Sequence, residues 1–160
     1  MKVLVTGSHG YIGRAVVNYI KKNIPSIEII EVDLKIGTRF EELKNETYDA
    51  IIHLAALTAH SDIVNNKFRN LEINLRGTQN ILDALKNSER ARKFIYSSTG
   101  KVYGKIEQVP ITEKSPTKPL NILGKSKLIT EQLIDFYSDS YGVNIEQYRE
   151  RHIYHSTPSL

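Results

Sequence analysis

The chain of 160 residues contains no cysteine. That absence excludes disulfides, thiolate metal sites and cysteine nucleophiles. No apolar run approaches the roughly 18 residues a membrane-crossing helix needs, so no membrane partner is expected. The opening Met1-Lys2-Val3-Leu4-Val5 turns polar at Thr6-Gly7-Ser8, which reads as a strand and not as a secretory leader. Long basic runs are missing too. Lys and Arg number 22 against 18 Asp and Glu, a net charge of +4, but the two signs are interspersed. A solvated, mildly basic surface explains this, and no nucleic-acid partner is expected. The expectation is a soluble cytoplasmic protein.

What is present is the composition of a globular domain, 40% hydrophobic and 25% charged, in a chain long enough to bury a core. Val3–Val5 is a short apolar run ending in a glycine loop, and reads as a buried strand. Ile12, Val16, Val17 and Ile20 fall at helical spacing over 11–23, and Pro25 ends that helix. A strand is predicted over 27–32, a short helix over 41–46 and a strand over 50–54. Leu71, Leu75, Thr78, Leu82 and Leu85 mark a long helix over about 65–88. A strand at 94–97 precedes a second long helix over about 124–141, carrying Ile129, Leu133, Phe136 and Tyr141 and stopped by Gly142. A last strand is predicted over 143–148. Strands alternating with helices predict a parallel α/β sheet, in one domain over 1–151 with a loose tail at 152–160.

Gly7-Ser8-His9-Gly10-Tyr11-Ile12-Gly13 lies between the first strand and the first helix. Gly7 suits a tight turn, Gly10 admits a pyrophosphate close to the backbone, and Gly13 lets helix and strand pack closely. The helix N-terminus offers unsatisfied N–H groups and a positive dipole end to phosphate. Asp33 follows Gly13 by 33 − 13 = 20 residues at the end of the second strand. A carboxylate there can accept from the adenosine ribose hydroxyls and repels a 2′-phosphate, so NAD is expected over NADP. Lys35 and Arg39 lie nearby and count against that preference.

Three further segments carry a resemblance. They are His53-Leu54-Ala55-Ala56, Asn74-Leu75-Arg76-Gly77-Thr78 and Tyr96-Ser97-Ser98-Thr99-Gly100-Lys101-Val102-Tyr103-Gly104. Together with Thr6-Gly7-x-x-Gly10-Tyr11-Ile12-Gly13 and Asp33, they resemble the extended short-chain dehydrogenase/reductases. The nucleotide-sugar epimerases and dehydratases are the most similar members, and the likeness runs along essentially the whole chain. It implies a Rossmann-like, doubly wound parallel sheet with helices on both faces. It also implies an NAD site lined by Tyr11, Ile12, Asp33, Leu34, Leu54, Ala55, Ala56 and Asn74, with Thr99 binding a sugar hydroxyl. The two long helices would then pair a homodimer, or a full-length relative, through a four-helix bundle, unless those stripes simply pack on the sheet.

The chain departs from that pattern in several places. The family carries Tyr-x-x-x-Lys at the start of the second long helix. Here the segment reads Ile122-Leu123-Gly124-Lys125-Ser126-Lys127, with the lysine kept and leucine at the tyrosine position. A tyrosine there acts as base once neighbouring positive charge lowers its pKa, and leucine has no proton to exchange. Tyr103 is the nearest other phenol and is expected to be a packing residue. Only 53 − 33 = 20 positions separate Asp33 from His53, too few for the family's usual third strand. Thr38 falls where an adenine-binding Asp is expected. Arg149-Glu150-Arg151-His152 resembles the family's Arg-x-x-Asn segment, with His152 at the Asn position, and no C-terminal substrate domain is expected. His152 and His155 lack a third ligand and are not read as a metal site, while His9 and His53 are expected to pack.

Three functions remain open. One is an NAD(H)-binding relative of the epimerases with impaired or lost catalysis, in which Lys127 still binds cofactor. Another is an active oxidoreductase or epimerase using Thr99, Lys127 or Tyr103, with a partner chain completing the substrate site. The last is a scaffold with a vestigial cofactor site.

Overall fold

A computed structural model describes residues 1–33, 43, 47–58, 67–86, 93–106, 109–142 and 145–149. Five parallel strands form one sheet: β1 Lys2–Thr6, β2 Glu28–Val32, β3 Ala50–His53, β4 Lys93–Ser97 and β5 Ile145–Tyr148. Their order is β2-β1-β3-β4-β5. The chain therefore leaves β1 toward one edge, then returns past it to build the other side. The crevice at the carboxyl ends of β1 and β3 is the topological switch point where α/β sheets hold ligands.

Helices α1 Tyr11–Asn23, α2 Lys67–Lys86 and α3 Ile122–Tyr141 cover the sheet. Side chains alternate across a strand, so each strand feeds two cores. Val3 and Val5 pack with Val17 of α1 on one face. Leu4, Ile51 and Phe94 pack with Ile81, Leu82 and Leu85 of α2 and Ile134 of α3 on the other. Helices thus lie on both faces, as expected.

The helix ends follow local chemistry. Gly142 takes φ +67° and returns its N–H to the Ser138 carbonyl at 2.9 Å, the left-handed stop expected from sequence. The start of α3 corrects the expectation. Its first residue is Ile122, because the Asn121 side chain caps the helix by accepting from the Gly124 N–H at 2.8 Å. A 3₁₀ helix over Gly100–Tyr103, not anticipated, follows β4.

The helix expected over 41–46 lies outside the described residues apart from Leu43, which is buried in the larger core. Leu34, Lys35, Thr38, Arg39, His152, His155 and the 152–160 tail lie outside them as well. Among the described residues no strand stands between β2 and β3, and no helix is long and apolar enough to cross a membrane.

The apolar stripe expected on α3 has its own outcome. Ile129, Phe136 and Tyr141 are exposed, at 40%, 56% and 48%. The buried face of the helix is Gly124, Ser126, Lys127, Thr130, Glu131, Ile134 and Tyr137. The helix therefore turns a largely polar face to the sheet; of the predicted stripe, Leu133 packs against the larger core and the other three residues face water.

A buried hydrogen-bond chain joins β1, β3 and α2. The Thr78 hydroxyl donates to the Asn74 carbonyl at 2.9 Å, so its oxygen accepts from His53 Nε2 at 3.0 Å. His53 Nδ1 then accepts from the Thr6 hydroxyl at 2.6 Å, and Thr6 Oγ1 accepts from the Ala55 N–H at 3.3 Å. This donor order requires a neutral imidazole with its proton on Nε2. Burial first, and the Lys127 charge second, lower the His53 pKa to about 3.

Two predictions follow from this packing. With a folded pKa near 3 and an unfolded one near 6.5, the unfolded chain takes up the His53 proton first as pH falls. This contribution to stability is full above pH 6.5 and is lost at about 1.4 kcal/mol per pH unit across that window. Denaturant melts from pH 7 to 4 check it, and His53→Gln, less stable at neutral pH, should have a flatter acid limb. In the glycine loop, a Cβ at Gly13 would lie 2.0 Å from the Gly7 carbonyl oxygen, whereas one at Gly77 meets nothing within 4 Å. Gly13→Ala should cost at least 1–3 kcal/mol in thermal melts. Gly77→Ala, inside α2, should be neutral or stabilising by up to about 1 kcal/mol.

Candidate functional site

The loop after β1 makes the first part of the site. Gly7 adopts φ +71°, and its N–H donates to the Val32 carbonyl at 2.7 Å. A Cβ on Gly7 would stand 2.7 Å from the Ala55 nitrogen. The loop thus lies against the backbone that follows β3, in a space no side chain could share. Gly10 is the N-cap of α1, with no side-chain cap and no acidic residue in the first turn. The positive end of the helix dipole is thereby left to an anion. Tyr11 is 62% exposed beside it, and Ile12 is half-buried.

Asp33, at the carboxyl end of β2, is brought to this loop. Its Oδ2 accepts from the His9 N–H at 2.9 Å. The His9 side chain does not pack as expected. It is 40% exposed, hydrogen-bonded to Ser8 Oγ at 3.0 Å and 4.0 Å from the Glu31 carboxylate.

Leu54, Ala55 and Ala56 follow β3 as a half-buried segment. Asn74 is 4% exposed, and its side-chain amide is committed to the next part of that segment. Its Oδ1 accepts from the Leu57 N–H at 2.7 Å, and its Nδ2 donates to the Leu57 carbonyl at 3.3 Å. Asn70 adds a second bond to that carbonyl at 2.6 Å. Asn74 thus holds the loop that runs beside the glycine turn.

The other part of the site lies at the end of β4. Thr99 caps the 3₁₀ helix, its hydroxyl oxygen accepting from the Lys101 N–H at 3.3 Å. Lys127 is 4% exposed. Its Nζ donates to the Ser97 carbonyl at 2.6 Å and stands 4.6 Å from the centre of the Tyr96 ring. Leu123 is half-buried in the first turn of α3, one helical turn before Lys127 and on the same side.

Sequence reasoning missed the network beside it. Glu131, 3% exposed, accepts a short bond from the Ser98 hydroxyl. Arg149 grips the same carboxylate, from Nε to Oε1 at 3.2 Å and from Nη2 to Oε2 at 2.9 Å. Its Nη1 reaches the Tyr103 hydroxyl at 3.0 Å and the Glu113 carbonyl at 3.1 Å. The bonds to Glu131, ahead of the opposing effect of burial, raise the arginine pKa. One fork thus joins α3, the turn after β4, the 3₁₀ helix and the end of β5. The readable signal was Lys127-x-x-x-Glu131, two charges at i, i+4 on a face that packs inward.

Tyr103 is accordingly engaged by Arg149, whose guanidinium also lies 5.0 Å from its ring centre. The sequence-predicted residues fall into two groups along the carboxyl edge of the sheet. Gly7, Gly10, Gly13 and Asp33 gather at β1 and β2, while Thr99 and Lys127 gather at β4 and α3. Leu54–Ala56 lie between. Among the described residues no cluster of three or more His, Asp or Glu side chains could hold a metal ion.

Known proteins share this fold. The profile of the NAD dependent epimerase/dehydratase family matches residues 3–154. A putative UDP-glucose 4-epimerase of Methanocaldococcus jannaschii is 29% identical over 170 residues, which cover 95% of this chain and 56% of that protein. The GDP-6-deoxy-D-mannose reductase of Pseudomonas aeruginosa is 34% identical over 138 residues, 82% of this chain and 45% of that one. Among solved structures, a UDP-glucose 4-epimerase of Thermotoga maritima with UDP-glucose superposes with a TM-score of 0.84. Its identity is 26%, over 93% of this chain and 55% of that chain. A Thermus thermophilus UDP-glucose 4-epimerase solved with NAD gives a TM-score of 0.81 at 26% identity, over 93% of this chain and 54% of that one. The chain spans about half the length of the relatives it matches. Its sheet, its helices and its match over 3–154 make it a member of the NAD(P)-binding epimerase/dehydratase family, and a homologue of the nucleotide-sugar enzymes within it.

Proposed function

We propose that the chain binds NAD(H) across the carboxyl ends of β1 to β4 and that its hydride-transfer chemistry is impaired or lost. The observation that carries the binding reading is the glycine cradle. Gly7 and Gly13 stand where a Cβ would collide with backbone, and Gly10 leaves the first turn of α1 without a side-chain cap. A pyrophosphate fits such a cradle, because it needs close backbone approach and the positive helix end. Tyr11, Ile12, Leu34, Leu54, Ala55 and Ala56 would line the dinucleotide, with Asn74 acting through the segment it holds. Asp33 would accept from the adenosine ribose, which favours NAD over NADP. Bound there, the dinucleotide supplies a hydride acceptor or donor.

What the chain's own groups can do with it is limited by Leu123. Thr99 can hydrogen-bond a hydroxyl, and Lys127 can bind the nicotinamide ribose and hold positive charge beside it. Neither gives the proton path that a phenol supplies at position 123 in the family. Tyr103, the other phenol nearby, is engaged by Arg149 through its oxygen and its ring. The activity and substrates of the longer relatives therefore do not pass to this chain. We read it as a dinucleotide-responsive binding module.

Pairing through α2 and α3 accords with the exposure of Phe68, Ile129, Phe136 and Tyr141, which leaves apolar surface on both helices. The partner would be a second copy or a longer relative.

Calorimetric titration with NAD⁺, NADH and NADP⁺ tests the binding reading. Micromolar binding of NAD(H), at least ten-fold weaker for NADP⁺, is the expected result. Asp33→Ala should weaken NAD(H) by about ten-fold, or 1.4 kcal/mol, and narrow the gap to NADP⁺. Absence of heat and of thermal stabilisation with every dinucleotide would leave the scaffold as the better description.

A further inference from the structure

A nicotinamide ring carries a positive charge when oxidised and none when reduced. Fixed charge at its end of a binding site therefore separates the two forms. The sheet indicates where that end falls. Asp33 closes β2, the glycine loop follows β1, Leu54–Ala56 follow β3 and Ser97–Thr99 close β4. A dinucleotide with its adenosine at Asp33 and its pyrophosphate at the loop continues toward β3 and β4. Neighbouring strands lie about 4.8 Å apart, so two strands beyond β1 such a ligand would come to the turn of Thr99 and the head of Lys127.

The buried ionisable groups around that point have states fixed by their contacts. Lys127 is buried against the Ser97 carbonyl and the Tyr96 ring. Glu131, one turn further along α3, is closed in a two-bond fork with Arg149, and at a distance those opposite charges largely cancel. Tyr96 stays a neutral phenol, because burial pushes its pKa above the ordinary range. His53 is neutral in its hydrogen-bond chain, and the Lys127 charge is one of the two causes that keep it so. The lysine field thus already opposes a second positive charge in its surroundings. One turn before Lys127, where the family places a phenol that can become an anion, stands Leu123.

We infer that the site discriminates by redox state, holding NADH in preference to NAD⁺, because Lys127 stands at the nicotinamide end and Leu123 cannot form the anion that would offset it. The chain would then respond to the ratio of the two forms and not to their sum. This rests on the dinucleotide reading above and goes a step past it, from the ligand to the form of the ligand.

The test is calorimetry on the intact chain with NADH and NAD⁺ separately, at neutral pH and modest ionic strength. NADH should bind tighter by ten-fold or more, about 1.4 kcal/mol. Lys127→Met should bring the two affinities within about two-fold of each other, even where both weaken. Leu123→Tyr supplies a measurement that does not depend on that variant folding. Its preference for NADH should narrow between about pH 6.5 and about pH 9 as the new phenol ionises beside Lys127. Equal affinities in the unmodified chain, or tighter NAD⁺, overturn the redox inference and leave dinucleotide binding standing. Binding of neither form overturns both. A preference unmoved by either substitution overturns the assignment to Lys127 and position 123.

Discussion

The close contact among Gly7, Gly13 and Ala55 sets the geometry of the carboxyl edge of the sheet. The Gly7 carbonyl comes so near the start of α1 that a methyl group on residue 13 would lie 2.0 Å from its oxygen. On its other side Gly7 approaches the Ala55 nitrogen to within a Cβ's reach. The same nitrogen donates to Thr6, which continues into His53, Thr78 and the Asn74 carbonyl. A backbone contact that admits no side chain is thus continuous with a buried polar chain, and the chain in turn positions α2. Loosening the loop would move Ala55, the Leu57 segment and the residues that hold it. Anything bound over β1 therefore rests on packing that extends through two strands and a helix.

A different physical balance governs the end of β4. There α3 presents Lys127, Thr130 and Glu131 to the interior in place of apolar side chains. Burial of such groups costs several kcal/mol unless each meets a partner. Each does: Lys127 meets a carbonyl, Thr130 bonds to the Ser126 carbonyl, and Glu131 meets Ser98 and Arg149. The fork from Arg149 draws the end of β5 onto α3, so a residue far along the sequence fixes the turn that carries Thr99. Ile134 and Tyr137 complete this inward face, while Ile129, Phe136 and Tyr141 lie outward.

How much of this was legible in the sequence follows from the range of each interaction. The strands, α1 and the two long helices came from periodicity and from local stops such as Pro25 and Gly142, which act within a few residues. The glycine loop and Asp33 were legible because one β-α-β unit fixes their spacing. The start of α3 was legible but misread, since Asn121 is a strong N-cap and Gly124 is the partner it reaches. The inward face of α3 was not legible, for a physical reason. A hydrophobic stripe predicts burial only when the sheet side wants apolar atoms, and here a lysine and a carboxylate are wanted instead. The Glu131–Arg149 fork and the Thr6–His53–Thr78 chain join residues 18 to 47 positions apart. No spacing rule points to such pairs, which exist only once the sheet order β1-β3-β4-β5 has brought the segments together.

These costs bear on the scaffold reading. A domain kept only for its shape gains from replacing buried charged groups, such as a lysine and a paired carboxylate, with well-packed apolar side chains, often by about 1–4 kcal/mol. Leucine stands at position 123, where the resemblance places the family's phenol, while Lys127, Glu131 and Arg149 are charged residues. The residues retained are those that hold the turn after β4 and place a positive charge beside it. The one replaced is the group that would move a proton. A structural role accounts for the leucine but not for the expense of the neighbouring charges. The proposed site, which binds a dinucleotide and leaves it unreacted, accounts for both.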